Sequence, residues 1–410
     1  MVDRHHRPGQ MLTMSNTSTP AAKIRLSNLA LEGFRPFFLF GALYAALTIL
    51  LWVPWYLGFL HVPTALTPIA WHQHELLFGY VPAIIAGFLL TAMPNWTKRK
   101  RLTGMPLVLL VALWLAGRVA IFVSEKIGLP SASAINIAFL IVLGLYALRE
   151  VVASNNTRNY KLVGVISLLA AAQALFLYEF FCLERVEIAG RLAIAAIILM
   201  IAIVGGRIIP NFTGNWLKKN NPGREPPPFA RFDLIAMAVS SLALASWPAV
   251  LPFDDLTSFA GALMVLAGIL QLIRQARWCP ERTFYEPLVA ILHLAFLFVP
   301  LGFILTGIAL IRDDGSFASA GVHAWTSGAI GTMTLAVMTR ATRGHSGQAL
   351  HAPVSTVLLI YLPIIIAALL RIAAALAPQQ TMLLLPLAAT CWIVAFGAYT
   401  VCYGRFILSR

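Results

Sequence analysis

The stretch AWHQHELLFGYVPAIIAGFLL, residues 70–90, joins two kinds of sequence that rarely meet. Its first part holds His72, His74 and Glu75, and its second part is as apolar as a membrane-spanning segment. Ionisable side chains inside a membrane are costly, and they mark functional positions unless they reach the surface. The fold class therefore depends on whether such apolar stretches recur along the chain.

Apolar runs do recur along nearly the whole chain. Of the 410 residues, 59% are hydrophobic and 11% are charged, and the mean hydropathy is +0.80. A soluble protein of this length has too little interior for so many apolar side chains. We expect an all-α polytopic membrane protein, because isolated strands would leave backbone groups unpaired in lipid.

About twelve segments are long enough to cross a hydrocarbon core of about 30 Å as helices. They form one transmembrane domain, residues 31–410, after a flexible cytoplasmic arm at 1–30. The predicted segments are roughly 33–58, 68–93, 104–124, 131–152, 160–182, 188–213, 230–252, 256–277, 285–311, 318–341, 353–376 and 382–408.

A weak internal repeat relates the ends of the second, sixth and tenth segments. LLTAMPNWT contains Pro94, RIIPNFTGN contains Pro210, and LAVMTRATRG follows about 130 residues later. This predicts three four-helix units, roughly 33–152, 160–277 and 285–408, with these three helices at the centre. The alternative is a chance recurrence of Thr, Pro and Asn at helix ends.

The charge distribution predicts the orientation of the bundle. The net charge is +14, and the bases follow even-numbered segments, as in KRKR at 98–101 and KKNNPGREPPPFAR at 218–231. Cytoplasmic loops collect Lys and Arg, so both termini are expected in the cytoplasm. We exclude a nucleic-acid interface, because no basic stripe interleaved with aromatic residues is present.

Three histidines are expected at one depth near the outer side: His72, His74 and His323. Neutral imidazole is a common ligand for copper, zinc and haem iron, whereas a single buried histidine is often a hydrogen-bonded structural residue. On a regular helix His72 and His74 point about 160° apart. They would hold one ion only where the chain is irregular, and otherwise each would serve a different centre. His293 and His345, toward the cytoplasmic side, are further metal-ligand candidates.

Several arginines are candidates for binding the propionates of a haem, which need cationic partners in a membrane. The alternative for the three outer arginines is snorkelling to the outer surface or pairing with Glu179. A covalently attached c-type haem is not expected, because C-x-x-C-H is absent. The candidates are Arg118, Arg191 and Arg371 on the outer side, and Arg207 and Arg340 on the cytoplasmic side.

Two further features surround the histidines. Glu75 is the catalytic candidate, because a carboxylate beside a ligand histidine either orients that ligand or relays protons. Gly328 and Gly331 follow His323 and leave room for a close neighbouring helix or a flat cofactor.

Five motifs together resemble the NnrS family, and the resemblance covers nearly the whole chain. It implies a bacterial cytoplasmic-membrane protein with twelve spans that contains haem and copper. It also implies a role in the nitric oxide response and in protection against nitrosative stress, but it assigns no individual histidine to either metal. The motifs are GFRPFFL at 33–39, WHQHELLFGY at 71–80, AGFLLTAMPNWT at 86–97, GGRIIPNFTGNWL at 205–217 and HAWTSGAIGTMTLAVMTRATRGHSG at 323–347.

The leading hypothesis is a b-type haem and a copper held in the outer half of the bundle by His72, His74 and His323. Nitric oxide would arrive through the lipid bilayer and be reduced to nitrous oxide with electrons from an unknown donor. A second hypothesis is a non-catalytic protein that senses or sequesters nitric oxide or protects metal pools. A third is a transporter, since internal repeats with polar residues at the midplane are common there.

Overall fold

The computed structural model describes residues 25–251 and 254–409. The fold is 84% helical, without strands in the described part, which confirms the expected all-α polytopic membrane bundle. The long helices are α1 (Phe34–Tyr56), α2 (Pro68–Thr97), α3 (Met105–Phe122), α4 (Leu129–Ala153), α5 (Tyr160–Leu183), α6 (Ile188–Asn220), α7 (Arg231–Ala249), α8 (Thr257–Ala276), α9 (Pro287–Arg312), α10 (residues 315–345), α11 (Val354–Leu376) and α12 (Thr381–Leu408).

The helix ends lie close to those predicted from hydropathy. Within the described residues, eleven helices are long and apolar enough to cross a membrane, and α10 is the exception because it is rich in Thr, Ser and Gly. The largest difference is at α6, which was expected to end near residue 213 and continues to Asn220. Lys218 and Lys219 lie in its last turn, where cations stabilise the helix dipole. Apolarity therefore marks the membrane boundary, and the helix continues past it.

The first and last helices are neighbours. Helix α12 packs along α1 and α11, and the Trp392 indole N–H donates to the Ala45 carbonyl across 3.0 Å. The Arg25 N–H donates to the Leu408 carbonyl across 3.1 Å. We call the end of the bundle where α1 begins at Phe34 and α12 ends at Leu408 the terminal end, and the opposite end the His72 end.

The predicted arm at 1–30 lies largely outside the described residues. Its described part is not a free arm, because Leu26–Ala30 forms a 3-10 helix against the end of α12. The Asn28 amide donates to the Leu408 carbonyl across 2.7 Å.

Helices α2, α6 and α10, the predicted equivalents of the internal repeat, meet around one small apolar cavity. Val81, Ile197 and Ile330 contribute to its wall, one from each helix. Helix α2 is the most buried of the membrane-spanning candidates. The three-unit repeat itself stays a prediction.

Helices α8 and α9 approach closely because small residues line their contact. A Cβ atom on Gly261 would lie 2.8 Å from the Gly307 carbonyl oxygen, and one on Gly268 would lie 2.9 Å from the Pro300 carbonyl oxygen. Small residues at helix contacts in lipid allow such close backbone packing, which contributes to helix association.

We expect Gly268→Ala to lower the thermal stability, because the added methyl group separates α8 from α9. Such overpacking costs about 1–3 kcal/mol. The matched control is Gly164→Ala on α5, where a Cβ meets no atom within 4 Å and alanine favours the helix by about 1 kcal/mol. Melting of both variants in detergent tests this, and equal melting temperatures would contradict it.

Candidate functional site

A cavity with a volume of about 690 Å³ lies at the His72 end of the described structure. Cofactor and small-molecule sites occupy about 300–1,000 Å³. Its walls are mostly apolar and include Trp52, Trp247 and Trp392. Its polar lining includes His72, Gln73, Arg191, Thr306, Ser319, His323, Thr326, Ser327 and Arg371, together with Glu187, Asp313 and Asp314 from the helix connections.

The local structure of α2 decides where its two histidines point. Thr67 caps the helix by accepting from the Ala70 N–H across 3.4 Å, and Pro68 takes the first turn, where its missing N–H costs nothing. The helix is regular from Pro68 to His74. Consequently His72 faces the cavity and His74 faces the opposite side, towards α4 and α5.

A π-helical turn follows at once, from Glu75 to Tyr80. It precedes Pro82, whose ring excludes the carbonyl of the residue four positions earlier, and the wider turn accommodates that clash. Helix α11 repeats the arrangement with a π-helical turn before Pro363. Single π-helical turns are frequent at functional sites.

Helix α10 also contains a π-helical segment, Ala324–Gly331, that starts directly after His323. Two glycines give it room: a Cβ on Gly328 would lie 2.5 Å from the Phe298 ring, and one on Gly331 would lie 2.6 Å from the Trp392 ring. We expected these glycines to leave room for either a close neighbouring helix or a flat cofactor. The structure shows a neighbouring helix at each glycine, α9 through Phe298 and α12 through Trp392.

His72 is held against an aromatic wall. Its ring stacks on Trp52 with centroids 3.8 Å apart and an interplanar angle of 17°. Its buried Nδ1 atom lacks a hydrogen-bond partner within the described residues. Arg371 and His323 lie close enough to interact with it electrostatically. A rigid imidazole with an unused nitrogen suits a ligand that the cavity would receive.

His323 lies on α10 and faces the same cavity. Its Nδ1–H donates to the Ser319 carbonyl across 2.7 Å, which favours the neutral tautomer with the lone pair on Nε2. That lone pair accepts from the Arg371 guanidinium. A metal ion would compete with Arg371 for this nitrogen.

Two cavity arginines make no ion pair with a carboxylate in the part of the chain that is described. Arg371 donates to His323, and Arg191 donates to the Trp247 carbonyl across 3.0 Å while its guanidinium lies 5.5 Å from the Trp247 ring centre. Both side chains are partly buried, and a cation removed from water without an ion-pair partner is costly. The pair therefore suits an anionic ligand group such as a carboxylate.

The other outer residues form a separate buried network on the far side of α2. The Glu75 carboxylate accepts from the His74 Nδ1–H across 2.7 Å, from Arg118 across 2.7 Å, and from the Tyr44 hydroxyl. Asn136 donates to His74 Nε2 across 2.9 Å and accepts from Arg118. His74 and Glu75 are fully buried, so every polar atom of both side chains is used inside the protein.

Gly79 allows this network to form. A side chain there would overlap the Arg118 guanidinium and come within 3.1 Å of Glu75. The Trp114 indole N–H donates to the Gly79 carbonyl across 2.9 Å, which ties α3 to the π-helical turn.

The structure thus does not bring the three predicted outer histidines together. His72 and His323 share the cavity, whereas His74, the catalytic candidate Glu75 and Arg118 do not line it. Within the described ranges, no group of three or more His, Cys, Asp or Glu residues has metal-binding proximity. The cause is the regular helix before Glu75, which keeps His72 and His74 on different sides.

The inner candidates lie elsewhere. His293 is buried and bonds to the Thr213 hydroxyl across 2.9 Å, while His345 is exposed at the end of α10 and lies 5.4 Å from the Phe34 ring. The cavity lining includes neither of them.

The two inner arginines are also apart from the cavity. Arg207 is exposed and donates to Asn159 across 3.3 Å. The Arg340 guanidinium lies 4.0 Å from the Phe212 ring centre.

Sequence reasoning missed the tryptophan walls and the three acids at the mouth of the cavity. Asp313 and Asp314 lie in IRDDGS, the short connection before α10, where acidic residues are ordinarily exposed to solvent, and the structure places both in the cavity lining. Trp52 lies one turn before the end of α1, where interfacial tryptophans are common in membrane proteins. Nothing in the sequence distinguished Trp52, as a cavity-lining residue, from an ordinary interfacial tryptophan.

We expect Arg118→Met to destabilise the fold far more than Arg371→Met. The first change leaves the buried Glu75 carboxylate without its cation, which costs about 3–5 kcal/mol. The second removes a cation that balances no carboxylate in the described structure. Thermal melting of the two variants at equal detergent concentration measures the difference, and equal losses would contradict the assignment of Arg118 to a structural network.

The comparisons with known proteins agree with the resemblance noted from the motifs. The family model described as NnrS protein matches residues 28–410, nearly the whole chain. No curated protein matched the chain. The chain therefore belongs to the NnrS family of membrane proteins, and this membership indicates a role in the nitric oxide response.

Proposed function

We propose that this protein holds a b-type haem and copper, acts on nitric oxide and protects the cell against nitrosative stress. The observation that carries the proposal is the meeting of His72, His323, Arg191 and Arg371 in one cavity of about 690 Å³. Two neutral imidazoles supply metal ligands, and two cations without carboxylate partners supply anion binding.

The residues of the cavity fit these groups. His72 Nδ1 is buried and unpartnered among the described residues, as are the Trp52 indole nitrogen and the Thr306 hydroxyl, which also belong to cavity-lining residues. Buried polar atoms without partners are costly, and a bound group would satisfy some of them. His72 and His323 would ligate iron or copper, and Arg191 and Arg371 would bind the propionates. When bound, these metals would supply the sites at which nitric oxide binds and is reduced.

The remaining side chains prepare the cavity for a small uncharged substrate. Trp52 holds the His72 ring by stacking, and the Ser319 carbonyl holds the Nδ1 proton of His323. Trp247 and Trp392 give the cavity apolar walls, which accommodate nitric oxide more readily than ions. The reductive reaction converts two molecules of nitric oxide, two electrons and two protons into one nitrous oxide and one water. A donor outside this chain would supply the electrons.

Glu75 and His74 have a different part in this proposal. Their mutual hydrogen bond and the Arg118 ion pair fix the rotation of α2 about its axis. They are positioning residues for His72, and they do not touch the substrate.

We expect purified His72→Ala and His323→Ala proteins to lose haem or copper, while His293→Ala and His345→Ala keep both. The first two side chains line the cavity, and the other two do not. Absorption spectra and metal analysis beside the wild type measure this. Loss of metal in the His293 or His345 variant would place the centre toward the terminal end and overturn the proposal.

Turnover separates an enzyme from a binding protein. Metal-loaded wild-type protein with a reductant should consume nitric oxide and release nitrous oxide faster than free haem does, and His323→Ala should not. A haem–nitric oxide spectrum that forms stoichiometrically without nitrous oxide would favour the sensing or sequestering function instead.

We also propose that the protein lies in the bacterial inner membrane with the terminal end in the cytoplasm. The basic connections support this through the positive-inside rule. Both variants are made in a Cys182→Ser background and treated with an impermeant thiol reagent. Arg185→Cys should react in intact spheroplasts, whereas Glu225→Cys should react only after the spheroplasts are lysed. Both positions are exposed, in opposite connections, so the reverse pattern would invert the orientation.

A further inference from the structure

A second, smaller cavity adjoins the first between α2, α6 and α10. Its volume is about 80 Å³. Fourteen residues line it, and thirteen of them are apolar or glycine. The exception, Thr334, uses its hydroxyl in hydrogen bonds to Tyr80 and to the backbone of its own helix. Water finds no free partner in such a lining, and apolar cavities of this kind stay dry and accept apolar guests such as xenon.

The small cavity reaches from the outside of the bundle to the large cavity. Phe88, Val204 and Val337 form its outer part and are partly exposed, and in a membrane-spanning bundle this surface faces lipid. Its inner part ends at Val81 and Ile330, which are buried and line both cavities. The two side chains are therefore the partition between a lipid-facing cleft and the cavity of His72 and His323.

Helix α6 continues the same path. Ile194 lines the large cavity and Ile197, one turn further along, lines the small one. Gly205 of α6 also lines the cleft. The path is thus apolar along its full length and is bounded by branched aliphatic side chains that change rotamer on fast timescales.

We propose that this cleft is a binding and entry site through which a small apolar gas molecule passes from the bilayer into the large cavity. A volume of about 80 Å³ admits a diatomic gas, and the dry lining excludes ions and water. Val81 and Ile330 are the specificity-determining residues of the passage. The assignment of the gas as nitric oxide rests on the function proposed above, whereas the gas site itself does not.

Xenon tests the site without any metal. A crystal of the wild-type protein pressurised with xenon should show an atom between Val81, Ile201 and Val337. Val204→Trp should remove it, because the indole fills the outer part of the cleft. The matched control is Val119→Trp, an exposed position on α3 that lines neither cavity. Continuous acyl-chain density in the cleft in place of xenon would overturn the proposal.

Carbon monoxide recombination after flash photolysis tests the passage in haem-loaded protein. Val204→Trp should slow bimolecular association about tenfold, equivalent to about 1.4 kcal/mol of added entry barrier, and Val119→Trp should leave it unchanged. Val81→Phe, at the partition, should slow it as well. An unchanged rate in both cleft variants would overturn the passage. If the protein does not bind haem, the proposed function is refuted. The gas site is then tested by the xenon experiment, which requires no haem.

Discussion

The fold around the cavity depends on one buried carboxylate. Glu75 is fully inside the protein and is balanced by Arg118, His74 and Tyr44. A charge at that depth is tolerable when each oxygen accepts hydrogen bonds and a cation lies beside it. Satisfying it requires α1, α2, α3 and α4 to meet at one level. The same requirement fixes the rotation of α2, so the residue two positions before His74 must point away from the network, into the cavity.

The polar residues of the outer half therefore divide by their partners. In one group every polar side-chain atom of His74 and Glu75 has a partner and Arg118 balances the carboxylate, although the Arg118 Nε atom is unpartnered in the described structure. In the other group, within the described structure, the His72 Nδ1 atom has no hydrogen-bond partner. Arg191 and Arg371 donate to a backbone carbonyl and to His323 and form no ion pair with a carboxylate there. Polar groups without partners are costly in a membrane. We therefore assign the group around Glu75 to the structural framework and the group around His72 to the candidate site.

Much of the fold was predictable, because twelve apolar segments must be helices in lipid and their lengths follow from the bilayer. The predicted end of α2 lay four residues before Thr97, since polar residues continue a helix past the membrane. The family was also accessible from motifs. The sequence left open whether His72 and His74 bind one ion together or point to different sites. The structure decides this, because the helix is regular from Pro68 to His74. The pairing of Arg371 with His323 was not accessible, because it depends on the packing of α10 against α11.

The contact between α1 and α12 has a consequence for biogenesis. Trp52 from the first helix and Trp392 from the last both line the large cavity, and the last helix is bound to the first through the Ala45 carbonyl. During synthesis the first helix enters the membrane long before its partner exists. The cavity is therefore complete only once the final helix has been inserted and has packed against the first. A ribosome-bound or C-terminally truncated chain would present an open groove, so a ligand that needs the whole cavity lining would bind only after the last helix has packed.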